Sequence, residues 1–567
     1  LRQGYRVKIH EIGAVKKRWK DRIAVALVFP DTYGLGMSNL GYQRVYELLN
    51  GYDQVVAERF FLPGPPFHGV GLRSIESNRG LSEFDIILFS ISFEYSYLNI
   101  PIILRQGGLG LFVKDRTDSS SPLVLAGGVA CQINPEPIAP FIDAFVLGDF
   151  EALCPGFVRF LQDNYPRVED KKETLLERLV SMCPGVYVPL FCPEQFYGDD
   201  RVEPAIEERS PEILPHTVVL SDRAAFSNTF LLEVSRGCGR GCRFCAAGYV
   251  YRPPRPWPMT SIRQTLALSK ETSKIGLVGL EFMEEKGLCQ LVSSLLEDGF
   301  QIGFSSLRAD AVTDDFARLL AASGSKTATI AAEAGSERLR KTINKHLSEN
   351  QLLGCCDILL SAGIRNLKLY FMLGLPFEQD EDVEDMIRLS KEILGMLVLV
   401  GKERGRLGRL TVSVSTFVPK AWTPFQWAGF VDMETLKYRR KMLEKALRGK
   451  ANCRLKLDSP DKAMVQAVLS RGDRRLGLDL VPYRLKGMGS KKIVKKISPI
   501  AEKYLKERAK DEFFPWEVIK HRVKREFLYS QWKKAERGLE TPFCHLEKCR
   551  KCGACRGLEL IDGPGKP

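Results

Sequence analysis

Cys238, Cys242 and Cys245 stand in the order C-x3-C-x2-C within Ser235-Arg-Gly-Cys-Gly-Arg-Gly-Cys-Arg-Phe-Cys245. Three thiolates at this spacing can hold three irons of a cubic 4Fe–4S cluster and leave the fourth iron without a protein ligand. That open iron can bind a small chelating molecule. Gly239 and Gly241 let the backbone wrap a cluster closely. Arg240 and Arg243 favour the ionised thiols beside them, and Phe244 can shield a cluster from water. The alternative is a zinc knuckle, which needs a fourth ligand. No further Cys or His follows nearby to supply one.

A second set closes the chain: Cys544, Cys549, Cys552 and Cys555 form C-x4-C-x2-C-x2-C. A packed core has no use for four thiols so close together, so the tail predicts a metal site. Zinc knuckles and ferredoxin-like clusters share the two-residue spacing. Gly553 allows the tight turn, and Lys548, Arg550 and Lys551 offset thiolate charge for either metal. A second iron–sulfur cluster is favoured over zinc, because the first cysteine loop already demands cluster assembly in a reducing compartment.

These sets need elements to position them. The first follows a short apolar strand, Phe230 to Val234. Beyond it, strands are expected at 274–280, 301–305, 327–331, 366–372 and 410–417. They alternate with helices at 261–272, 288–298, 314–323, 337–344, 349–362 and 381–394, a parallel β/α barrel pattern. Before it, apolar runs at 22–30, 84–92, 122–128 and 144–148 predict a parallel, doubly wound sheet. Ligands of such sheets sit beyond the carboxyl ends of the strands. That rule gathers 31–38, 90–95, Gly127, Gly128 and 148–151 around one crevice. The fold class is therefore α/β. A doubly wound sheet (1–165) leads through a β-rich linker (166–228) into a partial barrel (229–430). A basic, mostly helical region (431–540) and the cysteine-rich tail (541–567) follow.

The 567 residues suit several domains, and the apolar (44%) and charged (27%) contents are those of ordinary globular protein. No apolar run approaches a membrane span, and seven of the fifteen cysteines belong to the two clusters rather than to scattered pairs. A cytoplasmic location is expected. The net charge of +14 suits a polyanionic partner or a solvated basic face. Aromatics Tyr483, Phe514, Trp516, Phe527 and Tyr529 interleave the basic residues after 430, which suits RNA contact or amphipathic helices equally.

The loop at 235–245, with its aromatic residue before the last cysteine, resembles the signature of radical S-adenosylmethionine (SAM) enzymes. In that family the open iron binds the amino and carboxylate groups of SAM, and one electron cleaves it to a 5′-deoxyadenosyl radical. The N-terminal region resembles the Rossmann-like cobalamin-binding domain of one large class. Ala246-Ala-Gly-Tyr-Val-Tyr-Arg252-Pro, together with the tail, resembles a subfamily of it that ends in a cysteine cluster. Its partial barrel has six β/α units. The resemblance implies cofactor contacts at Glu333, Gly335 and Ser336 and at Gly374 and Pro376, and the rule that barrel sites lie at strand carboxyl ends adds Ser305 and Arg308. For the SAM amino group the stretch 279–285 lacks the family's Gly-Gly-Glu form; Glu284 is one candidate, and which of its glutamates takes the role is open. The run 417–427 should line the site. A one-electron reductant such as flavodoxin or ferredoxin is implied. The N-terminal region is expected to bind cobalamin as a further cofactor without an axial His from this chain: His68-Gly-Val-Gly71 lacks the Asp of D-x-H-x-x-G and follows the wrong segment, so His68 is expected to be a loop residue. The catalytic residues and the substrate, RNA or protein, are open. The reaction is radical chemistry, including cobalamin-dependent methyl transfer or a methylthiotransferase-like modification. An iron–sulfur RNA- or protein-binding module with an altered barrel is the alternative outside enzymes.

Overall fold

The structure is a computed structural model that describes residues 9–62, 71–117, 121–165, 171–192, 201–208, 210–279, 285–304, 307–544, 549 and 551–555. It has mixed α/β content and a helical C-terminal region.

The N-terminal sheet holds β1 (Ile23–Thr32), β2 (Val55–Leu62), β3 (Ile86–Ser90), β4 (Leu123–Gly127), β5 (Ala144–Val146) and β6 (Val186–Tyr187). Their order is β2-β1-β3-β4-β5-β6, parallel except for the last pair. The four apolar runs fall on β1, β3, β4 and β5. Strand β2 was not expected, because Glu58 and Arg59 interrupt its apolar pattern. The fold satisfies both charges in place. Arg59, 1% exposed, forks onto Glu11 at 2.8 and 2.9 Å and onto Glu76 at 2.6 Å. Glu58 accepts from the Trp19 indole at 2.7 Å. Buried charges survive only with such partners, and these come from segments distant in sequence. The stretch expected as a linker supplies β6, and Leu220–Ser221 pairs with Glu11–Ile12.

Seven parallel strands follow: β7 (Phe230–Glu233), β8 (Lys274–Val278), β9 (Gln301–Phe304), β10 (Thr327–Glu333), β11 (Asn366–Leu373), β12 (Leu410–Thr416) and β13 (Cys453–Leu457). They pair in chain order as a three-stranded and a four-stranded sheet, with a parallel bridge between Leu307 and Ile330 joining the two. Helices Glu285–Glu297, Asp314–Ala322, Glu337–Thr342, Glu349–Ser361 and Asp380–Glu403 lie between them, close to the expected positions. Strand β13 lies within the region after 430 that was expected to be mostly helical. Its Cys-Arg-Leu-Lys-Leu pattern puts Arg454 and Lys456 outward along an edge, a period of two too short to stand out from its basic surroundings.

The C-terminal helices Pro460–Arg471, Arg474–Leu485 and Ser490–Leu505 pack onto the carboxyl ends of the N-terminal sheet. Asn134 donates to the Ser470 and Gly472 carbonyls at 3.2 and 2.9 Å, and Arg474 pairs with Glu136 at 2.7 Å. Arg471 is fully buried and donates to the Ala428 and Lys506 carbonyls. Several basic residues of this region are thus structural pins. Phe514 and Trp516 are fully buried against each other and beside Trp427, which removes them as stacking platforms for RNA bases. No helix of the described residues is long and apolar enough to cross a membrane.

Candidate functional site

The C-x3-C-x2-C loop leaves the carboxyl end of β7. Gly237 starts it at φ +88°, where a Cβ would lie 2.7 Å from the Tyr251 carbonyl oxygen, so only glycine fits. Two residues hold the loop from outside. Arg243, fully buried, donates to Thr342 O at 2.6 Å and Leu539 O at 2.5 Å. Asn344 donates to Arg240 O and Gly241 O at 3.3 and 3.2 Å. Arg243, expected to favour the ionised thiols, also serves as a strut onto those carbonyls and keeps Cys242 as a charge neighbour. Phe244 is partly buried against the core. Arg240 pairs with Asp310 at 3.0 Å, and Asp310 accepts Arg308 at 2.8 Å. The expected Arg308 is thereby brought to the loop.

Glu333 ends β10 at φ +67°, a left-handed conformation that a non-glycine residue seldom adopts and that clusters at functional sites. Its carboxylate meets Lys345 at 3.2 Å. Burial works against the Lys345 ammonium, but Glu333 and the Cys242 and Cys245 thiols outweigh it and hold the pKa above the usual lysine value. Burial pushes the Cys242 thiol up to about 12, against the pull of Lys345. Lys345 carries no signal in sequence, where it reads as a surface lysine after a short helix. Among the described residues no three His, Cys, Asp or Glu side chains stand in metal-binding geometry. The loop cysteines would therefore draw in on loading, as sites that fold around their metal do. The donor set fits a cluster: three thiols on one pinned loop, mutual electrostatic neighbours, with a cation beside them.

Other expected contacts have structural work. The Ser336 hydroxyl caps its helix by accepting from Leu339 N at 3.0 Å and donates to Asp382. A Cβ on Gly335 would lie 2.2 Å from Asp382 O, so this glycine lets helix Asp380–Glu403 approach. Gly374 donates its N–H to Glu378 at 2.7 Å, closing the turn that holds the half-buried Pro376. Burial pushes the Glu378 carboxyl up to about 7, although Gly374 and Arg439 favour its charged form. Glu284, Ser305 and His68 lie outside the described residues.

The crevice of the N-terminal sheet is filled by the chain itself. Gly34 and Ser38 accept from Ala225 N and Phe226 N. Glu94, buried beyond β3, takes Lys420 at 2.6 Å and the Ser470 hydroxyl at 2.9 Å. Lys420 belongs to the run 417–427 expected to line the site. Asp149, past β5, binds Arg236 at 2.8 Å and also Arg255. Arg236 further reaches Glu151 at 3.1 Å and Glu233 at 2.9 Å. Between Gln132, Gly148, Asp149, Arg252, Arg255 and His521 a cavity of about 20 Å³ remains, room for about one water. Burial pushes His521, stacked on Trp422, down to about 4. These residues do not fit a corrin ring in this arrangement.

Residues 41–189 match the family described as radical SAM proteins, N-terminal, and residues 232–390 match the radical SAM superfamily. An uncharacterized protein of Methanocaldococcus jannaschii is 29% identical over 459 residues, 80% of this chain and 89% of that protein. Among solved structures, the cobalamin-dependent SAM radical enzyme OxsB with aqua-cobalamin and SAM bound is 14% identical, with a TM-score of 0.46 over 91% of this chain and 79% of that one. A second OxsB structure, with aqua-cobalamin, is matched over about half its length, 52%. The radical SAM methyltransferase TsrM from Kitasatospora setae, with cobalamin and a [4Fe-4S] cluster, is 11% identical, with a TM-score of 0.44 over 84% of this chain and 100% of that one. With both family matches in chain order, and the three cysteines at the end of the first strand within the second, the chain belongs to the radical SAM superfamily.

Proposed function

We propose that the chain is an enzyme that reductively cleaves SAM at a 4Fe–4S cluster held by Cys238, Cys242 and Cys245. The N-terminal sheet is Rossmann-like and the seven parallel strands form an open barrel in this reading. The observation that carries it is the pinned cysteine loop beside the Lys345–Glu333 pair at the strand ends. A 4Fe–4S cluster held by Cys238, Cys242 and Cys245 would supply one-electron reduction of the SAM sulfonium, its electron coming from a donor such as flavodoxin or ferredoxin. The chain's own residues prepare that event. Arg243 and Asn344 fix the loop from outside. Lys345 offsets thiolate charge, and Glu333 offers a carboxylate to the ribose hydroxyls. Phe244 limits water. Anaerobic protein with reconstituted cluster, dithionite and SAM is expected to release 5′-deoxyadenosine. A spectroscopically intact cluster that yields neither this nor S-adenosylhomocysteine overturns catalysis and leaves an iron–sulfur binding module.

Radical chemistry on a C–H bond, or group transfer initiated by such a radical, follows from this reading; the substrate class stays open between RNA and protein. Cobalamin-dependent methyl transfer would need a corrin against the N-terminal sheet, where Lys420 and helices Pro460–Arg471 and Arg474–Leu485 lie. Protein mixed with hydroxocobalamin is expected to emerge from gel filtration without the corrin absorption bands. Retention of about one corrinoid per chain would show that the C-terminal helices move aside, and would restore methyl transfer.

A further inference from the structure

We propose that Cys544, Cys549, Cys552 and Cys555 hold a second metal centre, an iron–sulfur cluster, built directly against the first cysteine loop so that the tail clasps it. Chain position alone does not bring these sets together; almost 300 residues separate them. The structure joins them through backbone. Cys544 N–H donates to Gly239 O at 2.8 Å. Three residues earlier, Thr541 exchanges hydrogen bonds with Asn344, 2.7 Å from its N–H and 3.2 Å to its carbonyl. Asn344 is the residue whose amide also holds Arg240 O and Gly241 O. His346 contacts Thr541 O at 2.8 Å. Phe543 sits between the Arg240 guanidinium at 4.0 Å and the His346 ring at 4.6 Å. The strut Arg243 ends on Leu539 O.

Beyond this clasp the tail brings its four thiols near one another, with no three of them in metal-binding geometry before a metal is loaded. Cys544 has Cys549, Cys552 and Cys555 as electrostatic neighbours, and Cys552 and Cys555 are buried. Arg252 stands between the two sets. Its Nε donates to Gly248 O, one turn past Cys245, at 2.7 Å. Its guanidinium lies over Tyr249 at 4.7 Å and has Cys552 and Cys544 as charge neighbours. Lys524 N–H donates to Cys552 O at 2.9 Å, and Lys524, Lys534 and Lys551 line the adjoining groove of about 350 Å³. Four thiols with a buried guanidinium and nearby ammonium groups form a donor set matched to an anionic metal–thiolate centre. The shared contacts make the tail a wall of the first loop, so loss of one centre should loosen the other.

The cluster identity rests on the function proposed above; the site itself does not. Iron, sulfide and zinc are measured in anaerobically reconstituted full-length protein. About eight irons are expected, on the scale of two cubic clusters. Cys552→Ser/Cys555→Ser is expected to keep about four and to change the electron paramagnetic resonance signal of those that remain. Cys549→Ser, at a less buried position, serves if the double variant does not fold. Replacing Cys238, Cys242 and Cys245 together with Ala is expected to leave about four irons in the tail. If the parent holds about four irons and the tail variants keep them all, the second centre is overturned. One zinc lost from the tail variants, with no iron, overturns the cluster assignment. If instead the triple loop variant loses nothing, the first-site reading fails and the tail proposal stands.

Discussion

Cys242→Ala, reconstituted anaerobically and supplied with dithionite and SAM, is expected to release 5′-deoxyadenosine only at background. Cys242 is tied to the charged pair, since Lys345, Cys245, Cys238 and Glu333 all act on its thiol. Removing it takes one of three thiolates from the iron set, and two ligands are too few for a stable cubic cluster. The loss should be of cluster as well as of product, read as a collapse of the visible iron–sulfur absorption. Arg243, Asn344 and Gly237 still hold the loop, so far-ultraviolet circular dichroism and melting should stay near those of the parent. A Cys242→Ala protein that keeps full iron and cleaves SAM would remove the loop from the proposed function. Lys345→Met should act more mildly. It leaves the ligands in place and strands Glu333 beside thiolates, so less product with cluster retained is the expected outcome.

Arg236→Met should destabilise the folded chain by about 3–5 kcal/mol, the cost of breaking a buried ion pair from one side. Arg236 is the shared partner of Asp149, Glu151 and Glu233, and it joins the N-terminal sheet to the strand that launches the cysteine loop. Burial works against the Asp149 and Glu151 carboxylates, but Arg236, with Arg255 at Asp149, outweighs it and holds both below their usual pKa. Groups with lowered pKa contribute stability above their unfolded values, about 3.9 and 4.3, and lose it as pH falls through the folded ones. Burial raises Glu233 instead, so this carboxyl takes its proton first on acidification and opposes the trend. In the variant the stranded carboxylates gain most from protons. Denaturant melts should therefore show the gap between variant and parent closing as pH drops below about 4. A gap that is small at pH 7, or independent of pH, would mean that the network contributes no coupling between the sheets.

Periodicity alone located most elements. Runs of Val, Ile and Leu bounded by turn residues marked β1, β3, β4 and β5. The 3.6-residue spacing of apolar side chains marked the helices between β8 and β12. Where charge interrupts apolarity the pattern is silent. Strand β2 hides behind Glu58 and Arg59, whose partners Trp19, Glu11 and Glu76 are remote in sequence. Strand β13 hides among lysines and arginines.

The site divides along the same line. Cysteine spacing by itself determined both candidate metal loops, because ligand geometry is local: a few residues must surround one ion. Only the tertiary structure decided what the loops touch. Lys345 is brought beside Cys242 by the turn after helix Glu337–Thr342, Arg252 is carried to the tail thiols, and Asn344 ties the tail to the cluster loop. The C-terminal helices close the crevice that the N-terminal strands alone would have left open. Contacts of this kind depend on chain reversal across hundreds of residues, and each lysine, asparagine or arginine looks in sequence like any solvated one. Its role is set by the burial and partners that packing supplies.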